Sequence, residues 1–165
     1  MLSNNILAFI ALSNEFCQAI ENASSSTKTE FVESMLRILP RIYITATDVL
    51  PASVMSEASY IPASLDEDYY DSMRRSMEHL LGEDDTYLEV FESDMKYSDT
   101  PIAASISEEL ADIFQVLYNF VENVKDAPEG IILDSIEAVK EDFKLYWSQT
   151  LCNVLRPLNA IGIQE

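Results

Sequence analysis

One stretch of the chain leaves little freedom. Ile106, Ile113 and Phe120 stand seven residues apart, and so do Leu110, Leu117 and Val124. These are unbroken a and d positions of a heptad, and Phe114 and Val121 widen the stripe on one flank. Glu108, Glu109, Asp112, Gln115, Asn119, Glu122 and Asn123 fill the remaining positions. A helix patterned in this way must bury one side against other helices. The chain has 165 residues, 48% of them hydrophobic, which is enough for one domain over residues 1–165 with a real core. Three glycines and six prolines supply too few tight turns for a many-stranded sandwich or barrel.

Other segments share the helical period. A first helix is predicted from about Leu2 to Asn22, with Leu2, Phe9, Phe16 and Ala23 as one series and Ile6, Ser13 and Ile20 as the other. Ala8, Ala11 and Ala19 keep parts of its surface thin enough for close neighbours. Thr27 and Glu30 form a capping box that starts a second helix, Lys28 to about Leu50. Pro40 should break that helix at a cost of about 3 kcal/mol. Yet Val32, Leu39 and Ala46 hold heptad spacing across it, as do Met35, Ile42 and Val49. A broken element has no reason to keep phase, so one helix is expected, bent near Leu36.

Residues 51–64 carry Pro51 and Pro62 and no helical period, and read as a connector. Ser64 with Glu67 is a second capping box, opening a helix with Tyr70, Met73, Met77 and Leu80 inward and Gly82 as its stop. Residues 83–104 are the least regular. There Glu83, Asp84 and Asp85 read as solvated, and Tyr87, Leu88, Val90 and Phe91 as either a helical turn or an extended piece. Ser105 with Glu108 caps the organising helix, and Pro128, Glu129 and Gly130 turn the chain. A last helix is predicted from Ile132 to about Arg156. Its stripe starts on Ile132, Ile136, Val139, Phe143 and Tyr146, then drifts to Trp147, Leu151, Val154 and Leu158, as a straight helix drifts against a heptad. The fold class that follows is all-α: a mostly antiparallel bundle of about five helices around an irregular acidic middle segment.

Charge narrows the partners. The chain has 29 acidic and 10 basic residues, a formal charge of −19. Such a surface repels nucleic-acid phosphates and anionic lipid heads, and favours a basic protein. Residues 57–109 hold 15 acids and three bases, a net −12 in 53 positions. Asp66, Glu67, Asp68, Asp71, Glu83, Asp84 and Asp85 read first as a solvated face, and as a partner surface for a basic protein in the functional alternative. The apolar run Ile6 to Leu12 lacks a basic lead and is too short to span a bilayer, so no membrane association and a cytoplasmic setting are expected. Cys17 and Cys152 fall in helical patterns and are expected to be reduced and buried.

Reactive machinery is hard to find. Three scattered glycines build no phosphate cradle, and His79, the one histidine, lies at a helix end with no nucleophile placed beside it. Zinc needs more Cys and His than the chain owns, and a di-iron bundle needs Glu-x-x-His pairs where Ser76 precedes His79. No catalytic residue, metal or cofactor is assigned. Glu108 with Asp112, and Glu137 with Glu141, stand one turn apart and are the carboxylate pairs open to a cation. Asp112, beside the stripe, is expected to accept a hydrogen bond from a tyrosine or from the Trp147 indole, as a buried polar tie. Tyr69 and Tyr70, with Tyr87, Phe91 and Tyr97, form either a binding face or satellite core.

The order of several pieces also matters. Glu15-Phe16-Cys17 comes first, then Ile38-Leu39-Pro40-Arg41-Ile42-Tyr43, then Leu81-Gly82 followed by Tyr87-Leu88-Glu89-Val90-Phe91. Ser105-Ile106-Ser107-Glu108-Glu109-Leu110-Ala111-Asp112-Ile113 follows, and a segment around Trp147 closes the series. Over nearly the whole chain this resembles the bacterial family called domain of unknown function 5063. The resemblance implies a small helical protein without an assigned activity, and it brings no catalytic residues.

Three functions follow as expectations. The first is a non-enzymatic interaction module, monomer or homodimer, that docks a basic protein. The second is a DNA-mimicking inhibitor of a nucleic-acid-binding protein. The third is a bundle with a carboxylate-lined metal or small-molecule site.

Overall fold

The heptad stripe becomes the centre of the molecule. A computed structural model describes residues 1–49, 60–89, 96–97 and 99–164. Helix α4, Ile106–Val124, packs against four others: α1 (Asn4–Glu21), α3 (Glu67–Leu81), α5 (Glu129–Asp142) and α6 (Ser148–Gln164). Its inward residues Ile106, Leu110, Ile113, Phe114, Leu117 and Phe120 are wholly buried. Helix α2, Lys28–Asp48, closes the bundle by packing between α1 and α6. The fold is an all-α bundle, and its buried apolar side chains form one continuous core.

Helix α2 runs unbroken through Pro40. Beyond the proline, Ile42 and Val49 are buried. Their burial is worth roughly 3–6 kcal/mol together, which matches or exceeds the ~3 kcal/mol cost of an internal proline. The Thr27 capping box forms in both directions: the Glu30 amide donates to Thr27 Oγ1 at 3.2 Å, and the Thr27 amide to Glu30 Oε2 at 3.1 Å. Gly162 of α6 lies against α2, where a Cβ would stand 3.1 Å from Leu36 Cδ1.

Several expectations are corrected. Helix α3 is capped by Asp66, whose side chain accepts from the Tyr69 amide at 2.7 Å, and not by Ser64. The Ser64 and Leu65 amides instead donate to Asn119 Oδ1 of α4, at 2.9 and 2.8 Å. The turn before α5 sits at Asp126, with φ +54°, so the helix begins at Glu129 rather than Ile132. Ala8 and Ala11 face outward, and so does Cys152, while Cys17 is buried. Gly82 does end α3, with φ +60°. Residues 51–59 of the expected connector, and Val90 and Phe91, lie outside the described residues.

The acidic middle contains a small ribbon. A 3-10 turn, Gly82–Asp85, leads into β1 (Thr86–Glu89), which pairs antiparallel with β2 (Ile102–Ser105). The register sets Thr86 opposite Ser105. This brings Asp85, expected in solvent, to the buried start of α4, where it is 5% exposed. Asp85 Oδ1 accepts from the Ser107 amide at 2.7 Å, and Oδ2 from the Ser105 and Ser107 hydroxyls at 2.9 and 2.8 Å. Ser105 Oγ accepts from the Glu108 amide at 3.3 Å.

The last helical run differs most from expectation. It continues through buried Pro157 to Gln164, past the expected end at Arg156. The step in its stripe has a local cause. Phe143–Trp147 is a π turn, in which the Ser148 amide bonds to the Phe143 carbonyl five residues back. One inserted residue moves the core position from 146 to 147. Trp147 is therefore 3% exposed and Tyr146, expected inward, is 69% exposed. Trp147 packs edge-on against Phe143 at 4.5 Å, and its indole donates to the Val139 carbonyl at 3.1 Å. Among the described residues no helix is long and apolar enough to cross a membrane.

Two predictions follow from these local causes. Deleting Tyr146 converts the π turn to α-helix and keeps the stripe in register. Deleting Gln149 rotates everything beyond it by about 100°. Circular dichroism melts should show a folded ΔTyr146 protein and an unfolded or severely destabilised ΔGln149 protein; equal melting of the two would exclude the one-residue account. Separately, Asp85→Ala leaves buried donors of Ser107 without an acceptor, a loss of about 2 kcal/mol and of roughly 4–8 °C in Tm. Asp84→Asn, at a partly exposed ion pair, should cost under about 1 kcal/mol.

Candidate functional site

Carboxylates outnumber cations in this chain, and three tyrosine hydroxyls donate to carboxylates at the joints between elements. Helix α4 turns Glu108, Asp112, Gln115 and Glu122 to solvent, with Tyr118 half-buried beside them. Helix α3 lies alongside and presents Tyr69 and Tyr70 from its first turn. The Tyr70 hydroxyl donates to Asp112 Oδ1 at 2.6 Å. Tyr69 donates to Glu21, at the end of α1. Tyr87 of the ribbon donates to Glu109 Oε2 at 2.5 Å and lies 3.4 Å from Glu89 Oε2.

These pairs shape the hydroxyls' acidity. Burial, then the hydrogen bond to a carboxylate, pushes Tyr69, Tyr70 and Tyr87 above the ordinary phenol range. Tyr118 is raised by burial and then by Glu122, Glu21 and Asp66, all negative. Below them, the Cys17 thiol is raised by burial and then by Glu21 and Glu122, so it stays protonated and unreactive.

The rings of Tyr69, Phe114 and Tyr118 form a contiguous cluster. Their centroids are 6.0 Å apart for Tyr69 and Phe114, 5.7 Å for Tyr69 and Tyr118, and 5.3 Å for Phe114 and Tyr118. Phe114 is wholly buried and the two tyrosines reach the surface. Glu21, Asp66 and Glu122 frame them with negative charge. Such a face can receive a lysine or arginine, with carboxylates for the charge and ring faces for the alkyl stem or guanidinium plane.

The residues expected as one partner surface are divided. Asp66, Glu67 and Asp68 are exposed at the start of α3. Glu83, Asp84 and Asp85 follow its end, 15 residues on, or about 22 Å at the helical rise. Asp84 is bound to Lys28 at 2.5 Å, and Asp85 is the buried cap described above. Asp71 lies between the two groups and is taken by Arg74 and Arg75, at 2.9 and 2.8 Å. The expected tie forms through its tyrosine alternative, since Tyr70 donates to Asp112, but Asp112 is exposed rather than buried, and the Trp147 indole bonds within its own helical run to Val139. The hollow beside Trp147 measures about 10 Å³, room for no more than a water. Glu21, Tyr118 and Glu122 escaped the sequence reading because α1 had to meet α4 before Glu21 came near the other two, which stand one turn apart on α4. Among the described residues, no three His, Cys, Asp or Glu side chains are arranged to hold a metal ion.

The family described as Domain of unknown function (DUF5063) matches residues 1–164. The chain belongs to this family. It is similar to the crystal structure of protein BF1032 from Bacteroides fragilis, at 29% identity and a TM-score of 0.82. That match covers 96% of this chain and 92% of the other. No curated protein matches the chain.

The tyrosine pairs give a prediction with a fixed sign. Each phenol is raised in the folded state, so its contribution is complete below about pH 10, the ordinary phenol value, and falls as pH rises and the unfolded chain ionises first. Tm should drop steeply between about pH 10 and 12, and the combined Tyr69→Phe, Tyr70→Phe and Tyr87→Phe variant should lose much of that slope. An unchanged slope in the variant would show that other groups govern alkaline unfolding.

Proposed function

We propose that the protein is a non-enzymatic interaction module, and that it docks the basic side chains of a partner protein on the face made by Glu21, Asp66, Tyr69, Tyr118 and Glu122. One observation carries this reading: two surface tyrosines packed on a buried ring, with three carboxylates from α1, α4 and the α3 cap around them. The bundle holds these groups on packed helices, so little ordering cost is left for binding. The cytoplasm suits two cysteines that are both free thiols.

The other readings gain less support. Duplex mimicry calls for carboxylates at regular phosphate-like intervals, whereas those of α3 and the turn after it are unevenly spaced, Asp71 is paired with Arg74 and Arg75, and Asp85 is buried. A small-molecule site in the core finds little room beside Trp147.

A lysine hexapeptide is the probe, titrated at low salt and followed by NMR shifts of the Tyr69 and Tyr118 rings. The double variant Glu21→Gln, Glu122→Gln should weaken binding by about five- to tenfold, as two exposed pairs of up to ~1 kcal/mol allow. The control Glu33→Gln with Glu141→Gln removes the same charge elsewhere and should change affinity by less than about twofold. Equal losses in both variants would reduce the effect to net charge and end the proposal.

A further inference from the structure

Helix α3 bears a second feature on the side that faces the 3-10 turn Ala23–Ser25. An open groove of about 650 Å³ runs along it, with Asp68 toward one end, Asp71 between, Arg75 and His79 toward the other, and Leu80 and the hydroxyls of Ser24, Ser72 and Ser76 along its walls. Its charges are ordered along the helix, negative first and positive last, so an ion of one sign does not match it. A segment that carries both signs does.

The cation at the far end is available. Arg75 is largely exposed, at 72%, and pairs with Asp71 Oδ2 at 2.8 Å. Asp71 also holds Arg74 at 2.9 Å through its other oxygen. When Arg75 swings to an incoming carboxylate, Asp71 keeps a partner, so the exchange leaves no ion unpaired. Arg74 is fixed more firmly, since it also bonds Glu78 Oε2 at 3.0 Å. Ser76 Oγ donates to the Ser72 carbonyl at 3.0 Å and keeps its acceptor side for a ligand N–H.

Spacing then sets the ligand. Asp68 and Arg75 are seven residues apart on α3, or about 10 Å at the helical rise. An extended peptide advances about 3.3 Å per residue, so three residues cover the same distance. We infer that the groove binds an extended segment of the partner protein carrying a basic and an acidic residue three positions apart, the base at Asp68 and the acid at Arg75 and His79. This deepens the docking reading above, since the groove shares helix α3 with Asp66 and Tyr69. It adds that the partner is recognised by an acidic residue as well as by basic ones.

The test uses acetylated, amidated tetrapeptides: Lys-Ser-Ser-Glu, Glu-Ser-Ser-Lys and the control Lys-Ser-Ser-Gln. The single histidine of the chain reports, because its imidazole resonances have no overlap from others. One of the two charged-pair peptides should bind about three- to fivefold tighter than the control, the scale of one exposed ion pair. It should shift His79, and the advantage should vanish in Arg75→Gln. Net charge alone predicts the opposite order on a protein of −19. If the control binds as tightly as both, or Arg75→Gln keeps the preference, the inference is overturned. If the lysine hexapeptide binds at Glu21 and Glu122 while the tetrapeptides show no preference, the groove fails and the docking face stands. If the hexapeptide fails but Arg75-dependent preference persists, the groove stands alone.

Discussion

The start of α4 is the constraint that organises this molecule. A helix leaves its first amides without intrahelical acceptors, and Ile106 and Ser107 are so deeply placed that water cannot serve them. The protein brings its own acceptors. Ser105 caps in the ordinary local way, and Asp85 arrives from 22 residues upstream to take the Ser107 amide and two hydroxyls. That reach requires the ribbon, whose register sets Thr86 beside Ser105. The acidic middle of the chain is therefore a device that lets a heptad helix begin inside the core. The negative charge of Asp85 also sits at the positive end of the α4 dipole.

Charge imbalance sets the second condition. With 29 acids and 10 bases, ion pairs cannot serve most carboxylates. Several of the bases are committed to joints between elements. Lys28 holds Asp84, Lys140 bonds the Val49 carbonyl at the end of α2, and Arg156 bonds the Leu88 carbonyl of β1 at 3.2 Å. Tyr69, Tyr70 and Tyr87 add neutral donors. A phenol can approach a carboxylate without changing the net charge, so the surface keeps its negative field while Glu21, Asp112 and Glu109 stay hydrogen-bonded.

Much of the fold was legible because hydrophobic period is a property of consecutive residues. The α4 stripe, the passage of α2 through Pro40 and the Gly82 stop all rest on signals within one element. The misses share a different origin. The stripe step at Tyr146 and Trp147 was visible, but drift and a one-residue insertion give the same pattern; only the five-residue hydrogen bond of the π turn separates them. Asp85 looked like its neighbours Glu83 and Asp84, and a tertiary contact made it a cap. Asp66 displaced Ser64 because Asn119 of α4 had claimed the Ser64 and Leu65 amides. The candidate site was the least legible part: Glu21, Tyr69 and Tyr118 lie on three helices, and no spacing along the chain relates them.

The two surfaces of α3 follow from how that helix is held. Its inward residues Met73, Met77 and Leu81 anchor it, Asn119 fixes the chain at its entry, and Gly82 turns the chain at its exit. A helix fastened at both ends and along one side presents its outward residues at fixed intervals. Asp68, Asp71, Arg75 and His79 then form a ruler that runs from acids to a base, and Tyr69 stands at the edge where α1 and α4 meet it. Repulsion within so negative a skin is relieved when a basic side chain arrives there. The relief is greatest where carboxylates crowd, as Glu21, Asp66 and Glu122 do around Tyr118, and least where Arg74 and Arg75 already balance Asp71. On the docking reading proposed above, affinity for a basic partner would concentrate at one end of α3, and selectivity among basic partners would fall to the ion-paired stretch beyond it.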